Sequence, residues 1–377
     1  MFIKRLYSLI GLLVLLAGTF AAGPYAAAAE RRPVTKIWVD TDAGVDDAVA
    51  IALLLKAPNA AVLGFSTVAG NASVENATNN VLTVLDVAGR QAPVTIGAAA
   101  PLVFRPSLTG MFAHGPDGLW FAQRPHDLTR IPRDAPAAIA AAARANPGMT
   151  LLTLGPLTNV AEALRRYPAE MRTAHIVALV GTRGPGNSTP VSEFNAWFDP
   201  QALDAVLESG ADVTLVTMDA WNAVTVDPTA FTQALAQSGD PLARFLAAPL
   251  GYYFAVQTQS GATRTTIPDA VAAVYALRPQ IGAAQSGLVD VATDNGLTRG
   301  QTVMAFTPIA KVSMIANDDE LSALVLQFFS QPGFDINMAL GAILARRPDN
   351  AKVVLAVKGA SLEGQVLRVL HGRGGDW

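Results

Sequence analysis

The regular alternation of two kinds of segment constrains the fold of this chain more than any other feature. From Val34 onward, short runs rich in β-branched residues are followed by alanine-rich amphipathic stretches. This alternation is typical of parallel strands joined by crossover helices. Strands are predicted at 35–39, 61–68, 94–96, 149–154, 175–180 and 213–217, and helices at 45–56, 73–88, 135–145, 157–166 and 200–209. We therefore expect one α/β domain with an open, mostly parallel, doubly wound (Rossmann-like) sheet and helices on both faces.

The composition excludes several classes of protein. Of 377 residues, 51% are hydrophobic and 15% are charged, so the chain can bury enough surface to offset its ordering entropy. The 27 Lys and Arg against 30 Asp and Glu give a net charge of −3, which argues against nucleic acid as a partner. The absence of cysteine excludes disulfides, thiolate metal sites and cysteine nucleophiles. Any metal must therefore be held by oxygen atoms or by the four histidines.

The first thirty residues have the pattern of a secretory signal peptide. Lys4 and Arg5 precede an apolar run at 6–20, and the alanines at 27–29 fit a cleavage site, with an earlier alternative at 21–22. The predicted division is a signal peptide at 1–29, a main domain at 30–335 and a C-terminal extension at 336–377 packed on it. We expect a periplasmic or secreted protein that has no membrane contact after cleavage. A retained anchor is the alternative, although the apolar run is short for a full span.

Four carboxylates are concentrated in the turn after the first predicted strand. They are Asp40, Asp42, Asp46 and Asp47. One or two of them could cap the following helix, but four like charges at this density repel one another unless a cation neutralises them. A hard, oxygen-preferring ion such as Ca²⁺ or Mg²⁺ fits this donor set. Neighbouring residues of a helix point about 100° apart, so we expect Asp46 and Asp47 not to face one ion together.

Polar residues also follow other predicted strands, where ligands of open α/β sheets bind. Asn71 follows the second strand, and a helix-cap role is its alternative. Segment 154–159 breaks from strand to helix and exposes carbonyl groups, and segment 186–195 is rich in Asn, Ser and Thr and ends near Asp199 and Pro200. Each of these signals is weak when taken alone.

Together the segments resemble the inosine-uridine preferring nucleoside hydrolase family. The signature is DTDAGVDDA at 40–48, and the other landmarks follow in order: TVAGN at 67–71, HGPDGL at 114–119, LGPLTN at 154–159, EFN at 193–195 with DP at 199–200, and DAVA at 269–272. The resemblance extends from about Lys36 to about Thr302. It implies the fold expected above, a small-molecule nucleoside as substrate, and hydrolysis to free base and ribose.

The resemblance also implies a Ca²⁺ ion and assigns residues to it. The implied metal ligands are Asp42, Asp47, Asp269 and the main-chain carbonyl of Leu154. Asp42 would also accept a proton from the Ca²⁺-bound water that attacks the anomeric carbon with inversion. The implied ribose-binding residues are Asp46, Asn71, Asn187, Glu193 and Asn195.

The chain departs from the family where the leaving base is usually activated. Many members carry His or Trp just before the last metal aspartate, but this chain has Pro268, which can neither donate a proton nor stack as an indole does. His114 is the expected catalytic substitute, with an ordinary loop role as its alternative. Other candidates to contact the base are Trp120, Trp197, Trp221, Tyr252, Tyr253 and Arg264.

Two other functions stay open at this point. The chain could be a non-catalytic nucleoside- or ribose-binding relative, or a hydrolase of another ribosyl compound. We expect a homodimer or homotetramer. In the C-terminal extension, 353–357 is predicted to be a strand and 362–370 a strand or helix, forming an added sheet edge or an oligomer contact.

Overall fold

A computed structural model describes residues 33–104, 106, 110–358 and 362–371. The predicted signal peptide at 1–29 lies outside these residues. From Val34 onward the chain forms one compact unit. None of the helices in the described ranges is both long enough and apolar enough to cross a bilayer.

The unit is built around one mostly parallel sheet. The strands in chain order are β1 (Thr35–Thr41), β2 (Ala60–Thr67), β3 (Val94–Ile96), β4 (Thr150–Thr153), β5 (His175–Leu179), β6 (Asp212–Val216), β7 (Gly282–Val291), β8 (Thr302–Ala305) and β9 (Ala351–Val357). Their order in the sheet is β3-β2-β1-β4-β5-β6-β9-β7-β8. Among these strands, β7 pairs antiparallel with β9 and with β8, and the other pairs are parallel. The predicted doubly wound α/β class is confirmed.

Helices follow most strands, with bounds close to those predicted from the sequence. In chain order the α-helices are α1 (Val45–Lys56), α2 (Val74–Val87), α3 (Met111–His114), α4 (Ala135–Ala145), α5 (Thr158–Arg166), α6 (Pro168–Met171), α7 (Phe194–Phe198), α8 (Pro200–Leu207), α9 (Met218–Trp221), α10 (Pro228–Ala236), α11 (Pro241–Gln257), α12 (Pro268–Leu277), α13 (Pro308–Ile315), α14 (Asp318–Ser330), α15 (Ile336–Leu344) and α16 (Leu362–Leu370). Short 3₁₀ helices lie at Leu128–Arg130, Thr258–Ser260 and Pro279–Ile281.

Apolar cores cover both faces of the sheet. Leu152 and Val177 belong to the core that includes α1, α11 and α12, whereas Leu151 and Ile176 belong to the core that includes α4, α5 and α8. Successive strand residues point to opposite faces, so the near-continuous apolar strands contribute to both cores. This burial fixes the central strands, whose carboxyl ends carry the polar residues discussed below.

The C-terminal segment is part of the sheet and does not form an added edge. β9 pairs in parallel with β6 and antiparallel with β7, so it lies inside the strand order, and 362–370 forms a helix that packs on α1. The expectation of an edge strand was wrong because the position of a strand along the chain does not determine its neighbours in the sheet.

Candidate active site

The candidate site lies at the carboxyl ends of the central strands. β1 ends at Thr41 and α1 begins at Val45, so the acidic turn occupies the edge at which β2, β4 and β5 also end. A cavity of about 860 Å³ opens there. Its lining includes every predicted substrate-binding residue, namely Asp46, Asn71, Asn187, Glu193 and Asn195, together with His114, Leu154, Pro268 and Asp269.

Three buried carboxylates form a compact group in this site. Asp46 and Asp47 in the first turn of α1, and Asp269 in the first turn of α12, each offer an oxygen atom, and these atoms lie within 4.8 Å of one another. Asp46 and Asp47 therefore do come together, contrary to the expectation from their helical offset. Side-chain torsions compensate for the different directions of their Cα–Cβ bonds.

Hydrogen bonds fix Asp47 within this group. Its Oδ1 accepts from the Thr41 hydroxyl, and its Oδ2 accepts from the Gly44 amide at 2.9 Å and from Asn71 Nδ2 at 3.0 Å. The carboxylate thus joins the end of β1, the acidic turn and the loop after β2. Its orientation is set before any ligand binds.

Asp42 is not a member of this three-carboxylate group, and among the described residues its carboxylate has one hydrogen-bond partner. Its Oδ2 accepts from the Asn71 amide at 2.7 Å, whereas its Oδ1 is buried and has no partner among the described residues. The chain passes so close to Asp42 at Gly70 that a Cβ atom there would collide with Oδ2. A glycine is required at that position because of this close approach.

The electrostatics of Asp42 and of the three-carboxylate group are unfavourable without a cation. Burial raises the pKa of Asp47 to about 6, and burial together with the charges of neighbouring carboxylates raises the pKa of Asp42 and of Asp269 well above the ordinary value. Among the described residues, no partner reaches one buried oxygen atom each of Asp42, Asp46 and Asp269. Buried carboxylates with unused lone pairs are the donor set that a hard cation prefers, so these residues fit a divalent metal ion.

Asp40, the fourth acid of the turn, has a different environment. Its Oδ1 accepts from the Ser66 hydroxyl and from Asn159 Nδ2, the latter at 2.8 Å, and burial raises its pKa to about 7. These bonds tie β1 to β2 and to α5. Asp40 therefore has a structural role in these contacts, and like Asp42 it is not a member of the three-carboxylate group. Its Oδ2 is buried without a partner among the described residues.

Glu193 and Asn195, at the start of α7, are partly committed to hydrogen bonds with backbone groups. Asn195 Nδ2 donates to the carbonyl oxygens of Leu154 at 2.7 Å and Leu179 at 2.8 Å, which leaves Oδ1 as the atom that can accept from a ligand. Glu193 accepts backbone N–H groups of Gly181 and Ala196 at Oε2, and of Asn195 at Oε1. One lone pair of Oε1 stays available.

His114 is buried against the acidic turn. Its Nδ1 accepts from the Val45 amide at 3.1 Å and lies 3.6 Å from Asp46 Oδ1, so the neutral ring carries its proton on Nε2. Burial lowers the pKa of His114, an effect that the charge of Asp46 opposes. The ring is therefore suited to donate a hydrogen bond in its neutral form.

Comparison with known proteins identifies the family. The model of the family described as inosine-uridine preferring nucleoside hydrolase matches residues 37–362. The chain belongs to the inosine-uridine preferring nucleoside hydrolase family. The resemblance seen in the motifs is confirmed, and the match continues past Thr302 through β9. The chain is accordingly a nucleoside hydrolase, a glycosidase that acts on small-molecule nucleosides.

Individual proteins that are similar to this chain are also nucleoside hydrolases. The non-specific ribonucleoside hydrolase RihC of Salmonella paratyphi B is 36% identical over 279 residues, which cover 71% of this chain and 87% of the relative. A plant nucleoside hydrolase, PpNRh1, superposes with a TM-score of 0.75 at 25% identity, over 90% of this chain and 99% of the other. The purine-preferring ribonucleoside hydrolase of Gardnerella vaginalis has the same fold, with a TM-score of 0.72 at 21% identity over 90% and 98%.

Tyr253 is the main functional residue whose place the sequence did not reveal. Its hydroxyl donates to Asp46 Oδ2 at 2.9 Å, and its ring centroid lies 5.2 Å from that of His114. Burial and the charge of Asp46 raise the pKa of Tyr253 well above its ordinary value, so the phenol remains a donor. The sequence named Tyr253 only as a candidate to contact the base, because it lies 207 residues from Asp46 and no local pattern links the two.

The other candidates for contact with the base divide into two groups. Trp197, Trp221 and Arg264 line the cavity, as does Pro268 at the start of α12. Trp120 and Tyr252 stack on each other with centroids 5.4 Å apart, and neither is among the described residues that line the cavity. The structure therefore does not bring Trp120 to the position expected for stacking on a purine.

Proposed function

We propose that the protein is an exported, Ca²⁺-dependent nucleoside N-ribohydrolase. It would cleave the N-glycosidic bond of purine and/or pyrimidine ribonucleosides by attack of water and release free base and ribose. The observation that carries the proposal is the buried group of Asp46, Asp47 and Asp269 beside a cavity lined with hydrogen-bonding side chains. This combination suits a cation and a polyhydroxylated sugar together.

The donor chemistry favours Ca²⁺ as the ion. All candidate ligands are oxygen atoms: Asp47 and Asp269 of the three-carboxylate group, with Asp46 as their neighbour, and the carbonyl of Leu154 in the cavity wall. The resemblance adds the carboxylate of Asp42, which is not a member of that group. The Leu154 carbonyl uses one lone pair for Asn195 and keeps the second. When bound, the ion would neutralise the carboxylates and lower the pKa of a coordinated water, which supplies the nucleophile.

Asp42 is the proposed proton acceptor for the attacking water. Its Oδ2 accepts from the Asn71 amide, whereas its buried Oδ1 has no partner in the part of the chain that the structure describes and can take a proton. Attack by water in one displacement inverts the anomeric centre, because no side chain intervenes as a covalent nucleophile.

The ribose would be held mainly by acceptor atoms. Oε1 of Glu193 and Oδ1 of Asn195 each keep an available lone pair, and Asp46, Asn71 and Asn187 line the same cavity. Acceptors directed at the sugar bind its hydroxyl groups, and they also stabilise the positive charge that develops as the C–N bond breaks.

Ribose release from a panel of purine and pyrimidine ribonucleosides by the purified protein tests the proposal. Release of ribose and base in equal amounts is expected. If nucleosides bind while their glycosidic bonds stay intact, the protein is a nucleoside-binding relative. If another ribosyl compound is cleaved in their place, the substrate class is wrong.

The affinity for Ca²⁺ is expected to fall as the pH is lowered through about 6. The pKa of Asp47 is raised to about 6, and a protonated carboxyl must lose its proton before it can bind the ion. Affinity should therefore rise with pH, by about tenfold per pH unit for each proton displaced. Calorimetric titrations between pH 5 and pH 8 measure it, and a constant affinity over this range would contradict the assignment.

Export is expected to remove the first 29 residues. Protein recovered from the periplasm or medium of the producing cells should begin at Glu30, because Lys4, Arg5 and the apolar run have the pattern of a signal peptide. N-terminal sequencing measures this, and Leu13→Arg, which places a charge in the apolar run, serves as the control that should block export. Exported protein that still begins at Met1 would contradict cleavage.

A further inference from the structure

One polar group in the wall of the cavity has no role in the site described so far. The indole Nε1 of Trp221 is buried without a hydrogen-bond partner among the described residues, and the side chain, only 6% exposed, lines the cavity. Trp221 ends α9, which follows β6 and packs against α12, the helix that begins with Pro268 and Asp269. The unpartnered N–H thus belongs to a helix that contacts the carboxylate-bearing helix.

This arrangement is unfavourable in the free protein. An indole N–H can only donate, and a buried donor without an acceptor destabilises the folded protein. Two other tryptophans satisfy their donors within the protein: Trp38 donates to Ser66 Oγ at 3.0 Å and Trp120 donates to the Ala113 carbonyl at 2.9 Å. The unpartnered N–H of Trp221 is explained if a ligand in the cavity supplies the acceptor.

The chemistry of a nucleoside indicates which part of the ligand this acceptor belongs to. The ribose hydroxyls are donors that match the carboxylate and amide oxygens of the site, including Asp46, Glu193 and Asn195. The base offers lone pairs on ring nitrogens and exocyclic oxygens. As the C–N bond breaks, its electron pair passes to the base, so a donor directed at the base is worth more in the transition state than in the bound substrate.

We propose that the Trp221 indole N–H donates a hydrogen bond to the nucleobase and stabilises it as the leaving group, a role that Pro268 cannot fill. The inference rests on the proposed hydrolase function. The C1′–N bond breaks, its electron pair goes to the base nitrogen, and water forms the new C1′–O bond and gives a proton to Asp42. The departing base takes its proton from solvent, and the indole keeps its own.

Replacing Trp221 by phenylalanine removes the N–H and keeps an aromatic ring in the core. With natural nucleosides as substrates, kcat/KM should fall roughly 100-fold, the scale for losing one transition-state donor. With 4-nitrophenyl riboside, whose leaving phenolate is stabilised by its own nitro group, kcat/KM should change by less than about threefold under the same argument. Trp38→Phe is the matched control, because that buried tryptophan lies outside the cavity lining and should affect both substrates equally.

The outcomes separate this inference from the proposed function. If the wild-type protein hydrolyses nucleosides but Trp221→Phe slows both substrates equally or neither, Trp221 acts in packing and the inference is overturned. If the wild-type protein hydrolyses no nucleoside, the proposed function itself fails.

A measurement on the wild-type protein answers the same question if Trp221→Phe does not fold. In ¹⁵N-labelled protein, the assigned indole N–H signal of Trp221 should move downfield when a non-hydrolysable C-nucleoside is added, because the proton enters a hydrogen bond. The signal of Trp197, which also lines the cavity, is distinguished by Trp197→Phe. An unchanged Trp221 signal at saturating ligand would overturn the inference.

Discussion

Asp47→Asn is expected to abolish stoichiometric Ca²⁺ binding and to lower ribose release by at least about 10³-fold, the scale seen when an essential catalytic group is lost. Asp47 is fully buried, is held by three hydrogen bonds, and shares the compact group with Asp46 and Asp269. The substitution keeps the shape of the side chain but removes the charge that the ion requires. Calorimetry and metal analysis measure the binding.

Asp40→Asn is the matched control for this experiment. Asp40 is equally buried and belongs to the same acidic turn, but it accepts hydrogen bonds from Ser66 and Asn159 and lies outside the three-carboxylate group. The pKa of Asp40 is raised to about 7, so a neutral amide replaces a group that is often protonated near neutral pH. Asp40→Asn should keep Ca²⁺ binding. Retained stoichiometric Ca²⁺ in Asp47→Asn would show that the ion is bound elsewhere.

Asp42→Asn is expected to separate catalysis from binding. The asparagine can still accept from the Asn71 amide through its oxygen, but it cannot take a proton from water. At saturating Ca²⁺, kcat should fall by about 10³-fold, within the range for loss of a general base, while the affinity for ribose changes by less than about tenfold.

Steady-state kinetics and ribose titrations measure the two quantities for Asp42→Asn. Equal losses in kcat and in ribose affinity would show that Asp42 acts as a ligand only. Recovery of kcat at higher Ca²⁺ concentration would lead to the same conclusion, because the defect would then lie in ion binding.

Much of the site could be predicted because it is local in sequence. Asp42, Asp46 and Asp47 lie within six positions of one another, and the strand–turn–helix pattern around them places their turn at the carboxyl edge of the sheet. Asn71 follows β2 and Leu154 follows β4, the two strands that flank β1, so they reach the same edge for the same reason. The periodicity of the sequence and the order of its motifs were sufficient to place these residues at the carboxyl edge of the sheet.

Other features depend on packing that no local pattern encodes. The bond between Tyr253 and Asp46 requires α11 to pack against α1, and the place of β9 between β6 and β7 requires a late strand to enter an existing sheet. The proximity of Asp46 to Asp47 and Asp269 depends on side-chain torsions, which the helical offset alone does not determine. The unpartnered N–H of Trp221 becomes visible only when its surroundings are known.

Titration of Ca²⁺ into metal-free protein, with ribose release from a nucleoside followed at each step, tests the central claim most directly. We predict no release in the presence of a Ca²⁺ chelator, and a rate that rises in proportion to bound ion and saturates at one ion per chain. Full activity in the presence of the chelator would contradict the claim that the buried carboxylates act through a metal ion.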